Sequence, residues 1–331
     1  MSHDNNSGVP SRTKNRIKAN WLLFVIGLLT LICIFDVVVH QRKMSVMQMQ
    51  SNKSRCKKVI DEHNLFQIPD DDIIDKMDNN SLYLLFNKYV NLQQYYCCNI
   101  TRQGQKLSTG KNVCEDDFFK PGSKCNVYSF GSKFNFDFEE SIWKNFNCEI
   151  HTFDPSMPVE QKTLPFFIGY HLIGLSGKNF IQTEPEIWRH HNKPLWKTWQ
   201  MQTLSSIMDS LNHSDATIDI LKIDIEGWEW DALPEMIQGG KLRNVKQLCI
   251  EIHFGFSFKH QTTNGHIKHV FTNNTWGNVP LKGQLKILKQ LYNYMFRIVR
   301  NQSFNWGRIK IENKIIRTLN ELTLINLRFL T

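Results

Sequence analysis

"ATIDILKIDIEGWEWDALPEM", residues 216–236, decides the fold. An apolar run, "IDILKI", leads to two carboxylates, Asp224 and Glu226, then to Gly227 and a segment with helical spacing. The pattern is a buried strand, a turn and a helix. An ion at the tip of a buried strand is costly unless it is used or paired. The surrounding chain must therefore supply a cleft or a partner.

Strands and helices alternate on both sides of this stretch. "CNVYSF" is a short strand ending at Gly131, and "FDFEESIWKNF" follows with Phe138, Ile142 and Phe146 on one helical face. "CEIHTF" is a second strand, closed by Asp154-Pro155, and "FIGYHLIGL" a third. "LSSIMDSL" is helical, "IDILKI" is the fourth strand, and "WDALPEMI" is a helix with Pro234 near its first turn, ended by Gly239-Gly240. "VKQLCIEIHF" is a fifth strand, and "LKGQLKILKQLYNYM" a helix with Leu281, Leu285, Leu288, Tyr292 and Met295 in register. "FRIV" and "LTLINLRFL" are the closing strands. This alternation predicts a doubly wound α/β domain over residues 119–331, its parallel sheet covered on both faces.

The net charge of +9 looks like a nucleic-acid signal until it is located. Residues 1–58 carry ten Lys/Arg against Asp4 and Asp36, so the rest of the chain is nearly neutral. A nucleic-acid partner loses its support. The basic residues flank "WLLFVIGLLTLICIFDVVV", residues 21–39, which as a helix reaches about 28 Å, enough to cross a membrane. The run exceeds a signal-peptide core and no A-x-A-like site follows it, which favours an uncleaved anchor. The expected plan is a cytosolic tail (1–20), a single-pass signal anchor (21–39) and a Met-, Gln-, Ser- and Lys-rich stem (40–60). A cysteine-bearing cap with a helical pattern (61–118) then precedes the main domain.

Charge counts do not orient the anchor, because Lys53, Arg55, Lys57 and Lys58 offset the basic residues before it. The cysteines favour a lumenal body. Cys56, Cys97, Cys98, Cys114, Cys125 and Cys148 show no C-x-x-C spacing and suit disulfides in an oxidising compartment, while Cys249 lies in an apolar run as a free core thiol. Sequons at Asn52, Asn79, Asn99, Asn212, Asn273 and Asn301 agree, with Asn212 in the most loop-like context. A glycoprotein in the endoplasmic reticulum or Golgi membrane is the expectation.

In such a sheet a ligand lies over the carboxyl ends of the strands, where strand order reverses. Gly131 ends the first strand, where the chain must turn and let a ligand approach its backbone. Asp154 ends the second strand, 23 residues later. That spacing suits an acid that takes the ribose hydroxyls of an adenosine cofactor. The loop "SFGSKFNF" has one glycine in place of G-x-G-x-x-G, so a pyrophosphate cradle is poorly made. S-adenosylmethionine, which carries adenosine without phosphates, fits better than NAD or FAD. An Asp-Pro turn would account for "FDPS" without any ligand.

The blocks "VYSFGSKFNFDFEESI", "CEIHTFDPS", "IDILKIDIEGWEWDAL" and "QLCIEIHF" resemble the methyltransferase-like protein 24 group, a branch related to the FkbM-type methyltransferases, over about residues 80–331. The resemblance implies a class I, Rossmann-like methyltransferase with seven strands, the seventh antiparallel at the sheet edge, and S-adenosylmethionine as cofactor. It assigns Phe130, Gly131 and Ser132 to the cofactor loop and Asp154 to the ribose. Asp224, Glu226 and Gly227 form the acidic block, and Glu251 and His253 end the fifth strand. Relatives with this block methylate hydroxyls of small molecules or sugars, which implies O-methylation of a glycan or small molecule. A silent binding protein with the same fold is the alternative. A glycosyltransferase is a weaker one, since its nucleotide-sugar site usually needs a D-x-D metal motif and the acidic block after the fourth strand reads "DIE".

Methylating a hydroxyl requires a base within reach of its proton. Glu226 and His253 are the catalytic candidates, His253 as a neutral imidazole, with Asp224 counted among the cofactor-binding residues. Asp224, Glu226, Glu251 and His253 together would also suit a divalent cation, magnesium or manganese first. Against these stand two plain readings: Asp224 caps the following helix, and Glu251 and His253 pair with each other or with nearby main chain.

Overall fold

The computed structural model describes residues 68–105, 110–116, 124–157, 163–183, 198–263, 266–305 and 307–329. The expected tail, anchor and stem lie outside them. Among the described residues no helix is long and apolar enough to cross a membrane.

Seven strands build the central sheet: β1 (Asn126–Phe130), β2 (Glu149–Phe153), β3 (Gly169–His171), β4 (Ile218–Ile223), β5 (Val245–His253), β6 (Phe296–Ser303) and β7 (Leu319–Asn326). Their order is β6-β7-β5-β4-β1-β2-β3. Neighbours from β5 to β3 run parallel, and β7 is antiparallel to both β5 and β6. The seventh strand is therefore inside the sheet, and the expected edge position belongs to β6. Burial explains the difference. β7 is buried at every position, as a strand covered on both faces must be, whereas β6 is buried only over its first half.

Among the described residues six α-helices accompany the sheet: α1 (Asp71–Lys76), α2 (Asn79–Val90), α3 (Asp137–Phe146), α4 (Leu204–Ser210), α5 (Glu229–Gln238) and α6 (Leu281–Asn293). The side chain of Asp78 caps α2 by accepting from the Ser81 N–H at 2.8 Å. On α3, Phe138 and Ile142 are buried and Phe146 packs beside them, as the spacing predicts. α5 begins at Glu229, whose carboxylate takes the Gly227 N–H at 2.8 Å, so Pro234 falls at the sixth helical residue, beyond the expected first turn.

Two expected elements change character. "FIGYHLIGL" divides at Leu172: β3 joins the main sheet, and Ile173–Leu175 joins a three-stranded sheet with Phe180–Thr183 and Thr198–Gln202. The cap is helical only to Val90. It then forms an antiparallel hairpin, Ile100–Gln103 with Lys111–Cys114, fastened by the Cys97–Cys114 disulfide. The Gln247 side chain on β5 bonds both main-chain groups of Cys114, at 2.9 and 2.7 Å, and lays the hairpin against the sheet. A second disulfide, Cys125–Cys148, joins the chain just ahead of β1 to that ahead of β2, and Cys98 is also disulfide-bonded. Cys249 is the buried free thiol the sequence predicts, its pKa pushed by burial to about 12.

Candidate functional site

Strand order reverses between β1 and β4, so their carboxyl ends frame the crevice. Gly131 has φ +81°, and a Cβ there would stand 1.7 Å from the Asp224 carbonyl oxygen. The glycine is required by the close passage of the chain after β4, and not by the ligand approach the sequence suggested. The Asp224 N–H donates to the Phe130 carbonyl at 3.1 Å, and the Gly131 N–H to Phe153 at 2.9 Å. Phe130 itself is core. Its ring stacks on Phe153 at 4.5 Å, leaving only its main chain for the site.

Ser132 is fully buried and its hydroxyl has no hydrogen-bond partner. Asp154 is 4% exposed and binds the loop ends together. Its Oδ2 accepts from the Lys133 N–H at 2.7 Å, and its Oδ1 from the Ser156 N–H and hydroxyl at 2.9 and 2.6 Å. A carboxylate offers about four acceptor positions, so capacity remains. Just beyond, an open cleft of about 430 Å³ is lined by Pro155, Leu172, Ile181 and Trp199.

At the other side of the crevice Asp224 does not cap α5. Its Oδ2 lies 3.3 Å from the ammonium of Lys111, which is fully buried and comes from the cap hairpin. The same ammonium is 3.6 Å from Glu251 and 3.4 Å from Glu321, and Arg102 also pairs with Glu321. Burial alone would raise Asp224, but the ammonium groups of Lys111 and Lys222 bring it down to about 2. Glu251 rises to about 8, through burial and the neighbouring Asp224 charge. Of the two acids, Asp224 carries the charge and Glu251 the proton.

His253 is 1% exposed. Its Nδ1 is 2.9 Å from Glu229, and its Nε2 is 3.3 Å from Glu226 and 3.8 Å from Glu251. Burial opposes a charge on the ring, yet Glu229 and Glu226 raise its pKa well above the usual value. The acids on both of its sides therefore favour the charged ring over the neutral base expected. Trp276 packs across it, with ring centres 4.8 Å apart. The same indole requires Gly227, where a Cβ would come within 2.9 Å of it. Glu226, at φ +53°, turns outward with its side chain 53% exposed. It is the acid of this cluster that faces solvent.

The expected metal quartet is brought together but does not fit a magnesium or manganese ion. Asp224, Glu226 and His253 each hold a ligand atom within 4.8 Å of the others. The positive charge there, however, is already supplied by the Lys111 ammonium, 3.3 Å from Asp224 and 3.6 Å from Glu251. Sequence reasoning missed Lys111, Arg102, Glu229 and Glu321. In Lys111 the one available signal was its spacing from Val113, which puts both on the inward face of a strand.

The chain belongs to a methyltransferase-domain family, which it matches over residues 42–278. It is 28% identical over 179 residues to the probable methyltransferase-like protein 24 of Homo sapiens, covering 51% of this chain and 46% of that one. The rat (Rattus norvegicus) protein of the same name is 30% identical over 146 residues, covering 43% of this chain and 38% of its own. The match thus spans less than half the length of either relative. A crystal structure of the methyltransferase FkbM from Methylobacillus flagellatus superposes with a TM-score of 0.34 at 10% identity, over 76% of this chain and 57% of that one. That likeness is too slight to carry an argument.

Proposed function

We propose that this protein is a class I, S-adenosylmethionine-dependent methyltransferase that acts on a hydroxyl of a glycan or small molecule in the secretory pathway, held to the membrane by residues 21–39. The observation that carries the reading is the crevice at the strand-order reversal. There the Ser132 hydroxyl is buried without a partner and the Asp154 carboxylate closes β2, and Pro155, the next residue, lines an open cleft. These donor types fit an adenosine cofactor: Asp154 would hold the ribose, Ser132 and the Gly131 main chain the remainder, with Asp224 opposite. When bound, S-adenosylmethionine supplies an electrophilic methyl group.

The chain's own part is to orient the acceptor and take its proton. Glu226, the exposed carboxylate of the cluster, would take that proton, with His253, fixed by Glu229, beside it. The disulfides support a lumenal body. Calorimetry with S-adenosylhomocysteine tests the reading. Wild-type protein should bind it, and Asp154→Ala should weaken binding about tenfold or more, since hydrogen bonds to a charged group contribute about 1.5–3 kcal/mol. Unchanged affinity in that variant would move the pocket elsewhere. Binding without transfer to any hydroxyl acceptor pool would select the silent binding protein.

A further inference from the structure

A second polar cluster lies toward the amino end of the same sheet. Glu149 opens β2 and His151 is two residues on, so both side chains leave the strand on one face. His213 comes from the turn between α4 and β4, and His171 closes β3. The Nε2 of His151 is 3.3 Å from Glu149 Oε1, and its Nδ1 is 3.2 Å from His171 Nε2. The fully buried Tyr128 places its hydroxyl 2.8 Å from His213 Nδ1, and the rings of His151 and His213 are 5.3 Å apart. One ligand atom from each of Glu149, His151 and His213 lies within 4.8 Å of the other two.

Among the described residues no lysine or arginine forms an ion pair with Glu149, and its partner is an imidazole. When the His151 Nδ1–H donates to His171, the Nε2 lone pair faces the Glu149 carboxylate, and two electron-rich atoms meet unless a positive ion stands between them. Tetrahedral zinc, with bonds near 2.0–2.2 Å, separates its ligand atoms by about 3.3 Å. The His151–Glu149 spacing already has that value.

We propose that Glu149, His151 and His213 form a zinc site at the amino edge of the sheet. His171 and Tyr128 orient the two imidazoles through their second ring nitrogens, as partners of ligating histidines do. The ion joins β2 to the turn that precedes β4. Its ligand His151 is three strand residues, about 10 Å, from the Asp154 end of β2, and the ion's role is to fasten the sheet. Nothing in this site depends on the methyl-transfer reading.

The test is a calorimetric titration of the untagged, chelator-stripped full chain with zinc chloride, repeated with cobalt(II) to read its visible spectrum. One ion per chain should bind, with a tetrahedral cobalt spectrum and a higher melting temperature. His151→Ala with His213→Ala should weaken binding about a hundredfold or more, and Tyr128→Phe roughly tenfold to a hundredfold. Glu149→Gln, changed at a 66% exposed side chain, should weaken binding without touching the fold. Absence of stoichiometric zinc, binding indifferent to these substitutions, or binding lost instead in Glu226→Gln/His253→Ala would each overturn the site.

Discussion

The two ends of the central sheet gather the same kinds of side chain and balance their charge differently. At the carboxyl end, Asp224, Glu226, Glu229, Glu251 and Glu321 are met by cations of the chain itself, Lys111 and Arg102, and by the ring of His253. At the amino end, the one ion-pair partner of Glu149 among the described residues is an imidazole, that of His151. Ligand type therefore does not by itself mark a metal site. Carboxylates and histidine at the carboxyl end look like a divalent-ion site in the sequence, yet a lysine from the cap hairpin stands among them.

Removing Lys111 is the strongest way to break this contrast. Lys111→Met removes the ammonium shared by Asp224, Glu251 and Glu321 and leaves Arg102 paired with Glu321 only, and losing one member of a buried ion pair costs about 3–5 kcal/mol. The lysine's own pKa is raised because burial, which disfavours its charge, is outweighed by Asp224, Glu321 and Glu251. Urea unfolding should show the loss, and millimolar magnesium or manganese should restore part of it in the variant alone. A variant as stable as wild type would show that the ammonium does not support these acids.

How much of this was legible depends on where each element's information lies. β4 and β5 were visible because strands buried on both faces read as continuous apolar runs, and the acids after them were visible by contrast. The hairpin Phe256–Thr263 with His266–Thr275 was not, because "FSFKHQTT" and "HIKHVFTNNT" lack the apolar run of a buried strand. Lys111 was hidden more deeply. "GKNVC" is the local pattern of a surface strand, and only the fold shows its ammonium meeting acids 113 and 210 residues away. Glu229 was hidden by ambiguity: an acid in a first helical turn is expected from the helix dipole alone, and its second task, holding His253, is a contact from helix to strand.

Glu229→Gln gives the next largest effect. The carboxylate accepts from the Gly227 N–H and the His253 N–H, and bonds the His253 ring, so loss of its charge should cost about 1.5–3 kcal/mol. The His253 imidazole should then titrate closer to the ordinary histidine range, an outcome NMR can follow. If it still titrates well above that range, Glu226 alone holds the proton, and the carboxyl end depends less on buried partners than the comparison holds.

The smallest effect is a pair of opposed pH slopes, each at most about 1.4 kcal/mol per pH unit. Glu251 has a folded pKa of about 8 against an ordinary 4.5, so the folded chain holds a proton that the unfolded chain releases. Its contribution is present below pH 4.5 and is lost as pH rises through 8. His253, also raised, adds in the same direction above its ordinary 6.5. Asp224, lowered to about 2, acts only in acid, where its contribution is lost as pH falls through 2. At the amino end the sign reverses in the metal-free chain. Burial lowers His151 and His171 below 6.5, so their contribution is present above 6.5 and is lost as pH falls through the lowered values. Stability measured from pH 5 to 8 should therefore rise relative to wild type toward high pH in Glu251→Gln, which removes the falling slope. It should flatten on the acid side in His151→Asn, which removes part of the rising one. Identical profiles in both variants and wild type would mean that neither cluster exchanges protons on folding.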